Sequence, residues 1–219
     1  MARQYSGQAF NWRTEVWPLQ WRVGFSCLAG YLLTQIYIPI LFYAQGAVVA
    51  GQMGLSLAIA NMLGLLAQSW VTRRGPAMAK AVSQSDWGKL DALFRSAFAI
   101  SILIFSLGAL VLFILHGLLS DTSYIARILP FWSFVGLFIA VFMGNVNAIL
   151  AAQLRSFCRE PLVWVNVGGA VLTMVGVLLV VERYAVEGMV IVMLAVQLLL
   201  CLPISINIWR RCNRQWRIN

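Results

Sequence analysis

Five stretches of the chain contain no Asp, Glu, Lys or Arg: residues 23–72, 96–120, 128–154, 161–181 and 188–209. A hydrocarbon core about 30 Å thick is crossed by roughly 20 helical residues at about 1.5 Å each. The last four stretches, of 25, 27, 21 and 22 residues, therefore fit one span apiece. The first has 50 residues and would reach about 75 Å as one helix, so it must fold back. Tyr43-Ala44-Gln45-Gly46 offers the turn, because glycine relaxes the backbone. The expected fold is an all-α, polytopic transmembrane helix bundle of about six spans, near 23–43, 47–69, 96–119, 128–153, 162–181 and 188–209. Only 11% of the 219 residues are charged, against about 25% in an ordinary globular domain. That is too little charge to solvate a soluble surface, and no soluble domain is expected.

The basic residues set the orientation, because short cytoplasmic flanks retain Lys and Arg. Arg3, Arg13 and Arg22 lie in the amino-terminal segment 1–22, and Arg73, Arg74, Lys80, Lys89 and Arg95 in the connection 71–95. Arg155 and Arg159 lie in the fourth connection, and Arg210, Arg211, Arg214 and Arg217 in the tail 210–219. The opposite side keeps only Arg127 and Arg183, so both termini are expected in the cytoplasm. The net charge of +9 is thus topological. Nucleic-acid binding would need these residues clustered on one folded surface with stacking aromatics, and they are spread along membrane edges instead. Anionic membrane lipids are the expected partners of the charge. Trp12, Trp17, Trp21, Trp70, Trp87, Trp209 and Trp216 fall near predicted boundaries, as an interfacial belt requires.

Residues 1–22 lack an early apolar run and a small-residue cleavage site, so the first span reads as its own uncleaved insertion signal. In the connection 71–95, Pro76 suits the first position of a short helix over Ala77 to Val82. Ser85 or Asp86 then caps a second helix that runs into the third span, giving an amphipathic hinge. The second span carries small residues at four-residue spacing, Gly46, Ala50, Gly54 and Ala58 on one stripe and Ser56, Ala60 and Gly64 on another. Such stripes let helix backbones approach closely in lipid.

Catalysis has little support. The seven carboxylates, Glu15, Asp86, Asp91, Asp121, Glu160, Glu182 and Glu187, lie outside the apolar stretches and form no paired motif. His116 has no nucleophile motif beside it and reads as an interfacial residue at the outer end of the third span. Cys27, Cys158, Cys201 and Cys212 have no metal or disulfide spacing. Neither a metal nor a cofactor is implied. What the spans hold is amides: Gln35, Gln52, Asn61, Gln68, Asn145, Asn147, Asn166, Gln197 and Asn207. Each either bonds between helices or faces a wet cavity. Gln35 and Pro39 would loosen the first span mid-membrane, with Gln52 at similar depth across the hairpin. Broken helices beside midplane polar groups are how transporters build substrate paths.

Trp17-Pro18-Leu19-Gln20-Trp21-Arg22, Gly30-Tyr31, Pro39-Ile40-Leu41-Phe42 and above all Gly46-Ala47-Val48-Val49-Ala50-Gly51-Gln52-Met53-Gly54 carry a resemblance. Trp70-Val71-Thr72, Pro76 and Leu90-Asp91-Ala92-Leu93-Phe94 continue it, over about residues 12–120. The sequence resembles the oligosaccharide and polysaccharide flippases of the MOP exporter superfamily, especially the O-antigen type. The last three spans match only in hydropathy. The resemblance implies a bacterial inner-membrane protein that moves a lipid-linked oligosaccharide by alternating access, between two rocking six-helix halves. Full members have 12 to 14 spans, and this chain resembles the start of their second half. A truncated gene, a separate chain supplying the missing six-helix half, or a second copy of this one would account for the length. On this reading Gln35, Pro39, Gln52 and Asn61 line the substrate path, and Arg22, Arg73 and Arg74 at the cytoplasmic rim attract the anionic headgroup. The competing expectation is a non-transporting membrane subunit or remnant whose amides only hold helices together.

Overall fold

A computed structural model describes residues 17–119, 125–157 and 160–216; within the first helix it describes the side chains of residues 36–45 and a few before them. Every regular element among the described residues is helical. In chain order these are α1 (Trp17–Gln45), α2 (Ala47–Ser83), α3 (Trp87–Leu118), a 3-10 turn (Ile125–Arg127), α4 (Phe131–Arg155), α5 (Val163–Val196), a π-helical turn (Gln197–Cys201) and α6 (Leu202–Trp216). Arg3, Arg13, Glu15, Asp121, Cys158, Arg159 and Arg217 lie outside the described residues.

The reversal between α1 and α2 is made by Gly46 alone, at φ 88 and ψ 176. That region belongs almost entirely to glycine. The reversal between α2 and α3 takes three residues, with Ser85 at positive φ and the Asp86 side chain accepting from the Lys89 amide at 3.0 Å as the N-cap of α3. The last reversal is hidden inside α5, where Ala185 leaves the helical region at φ 47 and ψ −136. Residues on either side of Ala185 pack against each other. A Cβ on Gly176 would sit 2.6 Å from Val192 Cγ1, and one on Gly188 would meet Val180 and Tyr184. The run Val163–Trp216 is therefore a helical hairpin with limbs 163–184 and 186–216.

Four helices are long and apolar enough to cross a membrane among the described residues: Ala47–Ser83, Trp87–Leu118, Phe131–Arg155 and the 54-residue Val163–Trp216. The count is smaller than the six expected for two reasons. The fifth and sixth expected spans are joined through a single hinge residue, and of α1 only Ile36–Gln45 falls within the residues counted.

The connection 71–95 also differs from expectation. Rather than starting a new helix, Pro76 lies inside α2, which runs unbroken to Ser83. Packing outweighs the hydrogen bond that proline forfeits. Met78 and Ala81 are buried with Leu90 and Phe94 of α3 and with Ile149 and Leu150 of α4, and Arg74 Nη1 donates to the Leu93 carbonyl at 3.4 Å. The outer face carries Arg73, Lys80, Lys89 and Arg95, all exposed. The segment is amphipathic, but it is two helix ends zipped together.

Trp87 and Val82 of this turn join the same cluster as Phe157, after α4, and Trp209, on α6. The α2–α3 turn, the end of α4 and the last helix thus meet at one end of the bundle. Arg155, Arg210, Arg211 and Arg214 belong to this basic end, while Arg127 and Arg183 sit near reversals at the other.

The main core fills the half away from the basic end. Leu41, Met53, Phe105, Phe134, Leu137, Phe138, Val177 and Met189 are buried together there. His116 belongs to this half and is buried, with its Nε2 3.1 Å from the Leu129 carbonyl and its ring against Phe131 and Phe134. It is a packed clip on the α3–α4 connection, at the end of α3. Ser56 secures the same loop by accepting from the Leu129 amide at 3.1 Å. Of the small-residue stripes, Ala50, Ser56, Ala60 and Gly64 are buried and Ala58 is exposed. The closest approaches use other glycines as well. Gly108 of α3 receives Leu63, and a Cβ on Gly136 of α4 would lie 2.6 Å from Val190. Leu103, Leu107, Leu110, Val111 and Ile114 form an exposed apolar face on α3, as contact with lipid tails requires.

Candidate functional site

Within this apolar bundle lies a cavity of about 610 Å³ whose walls come from α1, α2, α4 and both limbs of the α5 hairpin. Its lining runs from Gln68, Arg155, Asn166 and Cys201, nearer the basic end, to Tyr37, Leu57, Ala140, Thr173 and Met193 at mid-bundle.

The walls are lined with amides. Asn61 and Gln68 come from α2, Asn145 and Asn147 from α4, Asn166 from α5, and Gln197 from the π-helical turn. Asn147 Nδ2 donates to Asn166 Oδ1 at 2.8 Å, tying α4 to α5. Asn145 Nδ2 reaches Ser101 Oγ on α3 at 3.5 Å, and Thr173 Oγ1 donates to the Gly169 carbonyl of its own helix at 2.7 Å. These bonds do not exhaust the groups. Asn145 Oδ1, Asn147 Oδ1 and Gln197 Oε1 are buried and have no protein partner. Buried polar atoms are nearly always paired, so three unpaired acceptors along one cavity call for a ligand or water.

The π-helical turn positions Gln197. A π-turn inserts an extra residue into the helical ladder and recurs at functional sites. Pro203, lacking an amide hydrogen, lies two residues beyond its end. Opposite the turn, small residues make room. A Cβ on Gly144 would touch Gln197 Nε2 at 3.7 Å, and one on Gly169 would overlap Cys201 Sγ.

At the mouth Arg155 is the charged residue among the described lining. Its Nε donates to Glu160 Oε1 at 2.9 Å. The Arg155 side chain is 43% exposed while that of Glu160 is 1% exposed, and Glu160 Oε2 has no partner. The pair leaves the mouth nearly neutral.

Of the four path residues expected from sequence, Asn61 lines this cavity. Pro39 is exposed on α1, and Gln52 is half-buried on α2 away from the lining. The side chains of Gln35 and Arg22 lie outside the described residues. Arg73 is exposed and stacks over Trp70 at 5.3 Å, and Arg74 donates to the Leu93 carbonyl; neither is among the cavity lining, whereas Arg155 is. Asn145, Asn147, Asn166 and Gln197 were visible in the sequence as span amides, but nothing there separated helix glue from cavity lining. Tyr37 and Thr173 carried no signal at all. Cys201 is a free thiol, and no group of three metal-ligating side chains occurs among the described residues.

No protein-family model, curated protein or solved structure matches this chain.

Proposed function

We propose that this membrane protein is a transporter that passes the sugar headgroup of a lipid-linked oligosaccharide through its amide-lined cavity by alternating access. The observation that carries this reading is the cavity itself. An apolar bundle has no packing reason to line about 610 Å³ with amides from three helices and the π-helical turn and leave three acceptors unpaired. The resemblance of residues 12–120 to O-antigen-type flippases supplies the substrate class. On positive-inside grounds the basic end is the cytoplasmic one, and the Arg155 end of the cavity lies toward it. Because the amides face a space inside the chain's own bundle, one chain holds the polar part of the path. A second copy or a six-helix partner chain completes the opposing wall.

The test is reconstitution in vesicles containing a fluorescent lipid-linked oligosaccharide, reading the fraction cleaved by an external glycosidase. Transport should depend on the protein and fall at least tenfold in Asn147→Leu. The competing reading, a non-transporting subunit, draws on the Asn147–Asn166 bond, which joins two helices. It requires vesicles with and without protein to be alike.

A further inference from the structure

We infer that α6 carries a docking site for an anionic phospholipid, with the lipid's tails on the aliphatic residues at its membrane end and the phosphate on Arg210, Arg211 and Arg214. The site goes beyond the transport reading and does not depend on it. Ile204, Asn207, Arg210, Arg211 and Arg214 are all exposed, and spacings of three and four residues put them on one face of the helix. The opposite face is packed. Ser205 and Asn213 are buried, Trp209 Nε1 donates to Gln153 Oε1 of α4 at 2.6 Å, and the Trp209 ring lies 5.8 Å from that of Phe94 on α3. The helix is thus held with its arginines turned outward.

The other described arginines of the basic end have partners. Arg155 is paired with Glu160, Arg74 donates to the Leu93 carbonyl, Arg73 stacks over Trp70, and Arg95 Nε donates to the Asp91 carbonyl at 3.4 Å. Arg210, Arg211 and Arg214 have no ion-pair, hydrogen-bond or ring partner among the described residues, and α6 contains no carboxylate. Guanidinium groups bind phosphate through paired N–H donors, so a phosphate anion fits them. The residues beneath them require that this anion carry hydrocarbon. Leu198, Leu199, Leu200 and Ile204 are exposed on the preceding turns, as contact with lipid tails requires. Counted from Asn207, the first amide on this face, Arg210 and Arg211 stand roughly 5–6 Å further along the axis and Arg214 about 10 Å. The headgroup layer on each side of the hydrocarbon is about 5–8 Å deep, so the guanidinium groups fall at the level of the phosphates. An acidic protein or a nucleic acid would bring charge to this face but nothing for the leucines. The same limb carries Gln197 and Cys201 in the cavity wall, so a lipid seated here braces that wall.

The test uses the full chain in mild detergent, with bound lipid counted by native mass spectrometry after addition of phosphatidylglycerol or phosphatidylcholine. The chain should retain phosphatidylglycerol over phosphatidylcholine severalfold. The triple variant Arg210→Gln, Arg211→Gln, Arg214→Gln should lose that preference, whereas Arg73→Gln, Lys80→Gln, Lys89→Gln, which removes as much charge from the same end, should keep it. Excess glycerol phosphate should displace nothing. Equal loss in both variants would reduce the effect to diffuse charge, displacement by glycerol phosphate would make the ligand a soluble anion, and no preference in the wild-type chain would remove the ligand; each of these overturns the site. Should the first variant lose helix content, the wild-type chain decides alone. In phosphatidylcholine nanodiscs, added phosphatidylglycerol should slow amide exchange over Leu202–Trp216 and leave 73–95 unchanged, and any other pattern overturns the site.

Discussion

Gly136→Ala should loosen the seam between α4 and the limb 186–216. A Cβ at this position would sit 2.6 Å from Val190 Cγ1 and 3.5 Å from Leu194 Cδ1, whereas carbon atoms rest at about 3.5–4.0 Å. The shortfall on Val190 is about 1 Å. Val190 is 4% exposed, and a β-branched side chain in a helix has one strongly preferred rotamer, so it cannot swing aside. Overpacking of this kind costs about 1–3 kcal/mol. Against it stands a helix-propensity gain of up to about 1 kcal/mol for replacing glycine by alanine. The single variant alone is therefore ambiguous, and the Val190→Ala background resolves it. There the methyl group has room and only the gain remains, so the double-mutant cycle should return a coupling of about 1–3 kcal/mol. Reversible unfolding in mixed micelles of rising sodium dodecyl sulfate content, followed by circular dichroism, measures all four proteins. Equal stabilisation by Gly136→Ala in both backgrounds would refute the argument, because it would mean that the two helices do not approach at this point.

Three further outcomes follow. Ala185→Gly should stabilise the chain by about 1 kcal/mol in the same assay, since glycine adopts the positive φ of the hinge without strain; unchanged or lower stability would count against the hinge. Asn61→Leu should lower transport more than Gln52→Leu does, because Asn61 lines the cavity and Gln52 does not; the reverse order would move the path to the other face of α2. A variant retaining only Cys212, near Arg210, Arg211 and Arg214 on the last helix, should resist impermeant thiol reagents added to intact cells. Rapid labelling from outside would invert the bundle.

The parts of the fold that could be read in advance are those where length or charge leaves one solution. Fifty uncharged residues force a reversal, and Gly46 is where the backbone allows it. Asp86 is legible as a cap because a short acidic side chain before an apolar run meets the free amides of a helix start. Pro76 misleads because proline fits a first helical turn and is also tolerated inside a helix that is packed well enough, and Met78 and Ala81 decide for the second. The Ala185 reversal carries neither glycine nor proline at its tip; it is set by the fit of Gly176 to Val192, two positions sixteen residues apart. At the site, composition located the amides but not their company. Whether Asn147 faces Asn166, a void or lipid depends on the rotation of α4 against α5, which no single span encodes. Arg155 was legible only as a charge at a helix end, since its place at the mouth depends on a neighbouring helix start and on Glu160.

At 37 residues α2 is about 55 Å long, well beyond the roughly 30 Å of hydrocarbon. Its inner part forms one wall of the cavity through Asn61, Gly64 and Gln68, and its outer part is clamped to α3 by Met78, Leu90, Phe94 and the Arg74 bond. The cavity wall and the basic end of the bundle are thus parts of one continuous helix, so a tilt of that wall would be carried to the α2–α3 turn and to the α4 and α6 residues packed on it. That turn is a place where the state of a buried chamber can be felt, or held, from the aqueous side, and a pair of spin labels there would register it.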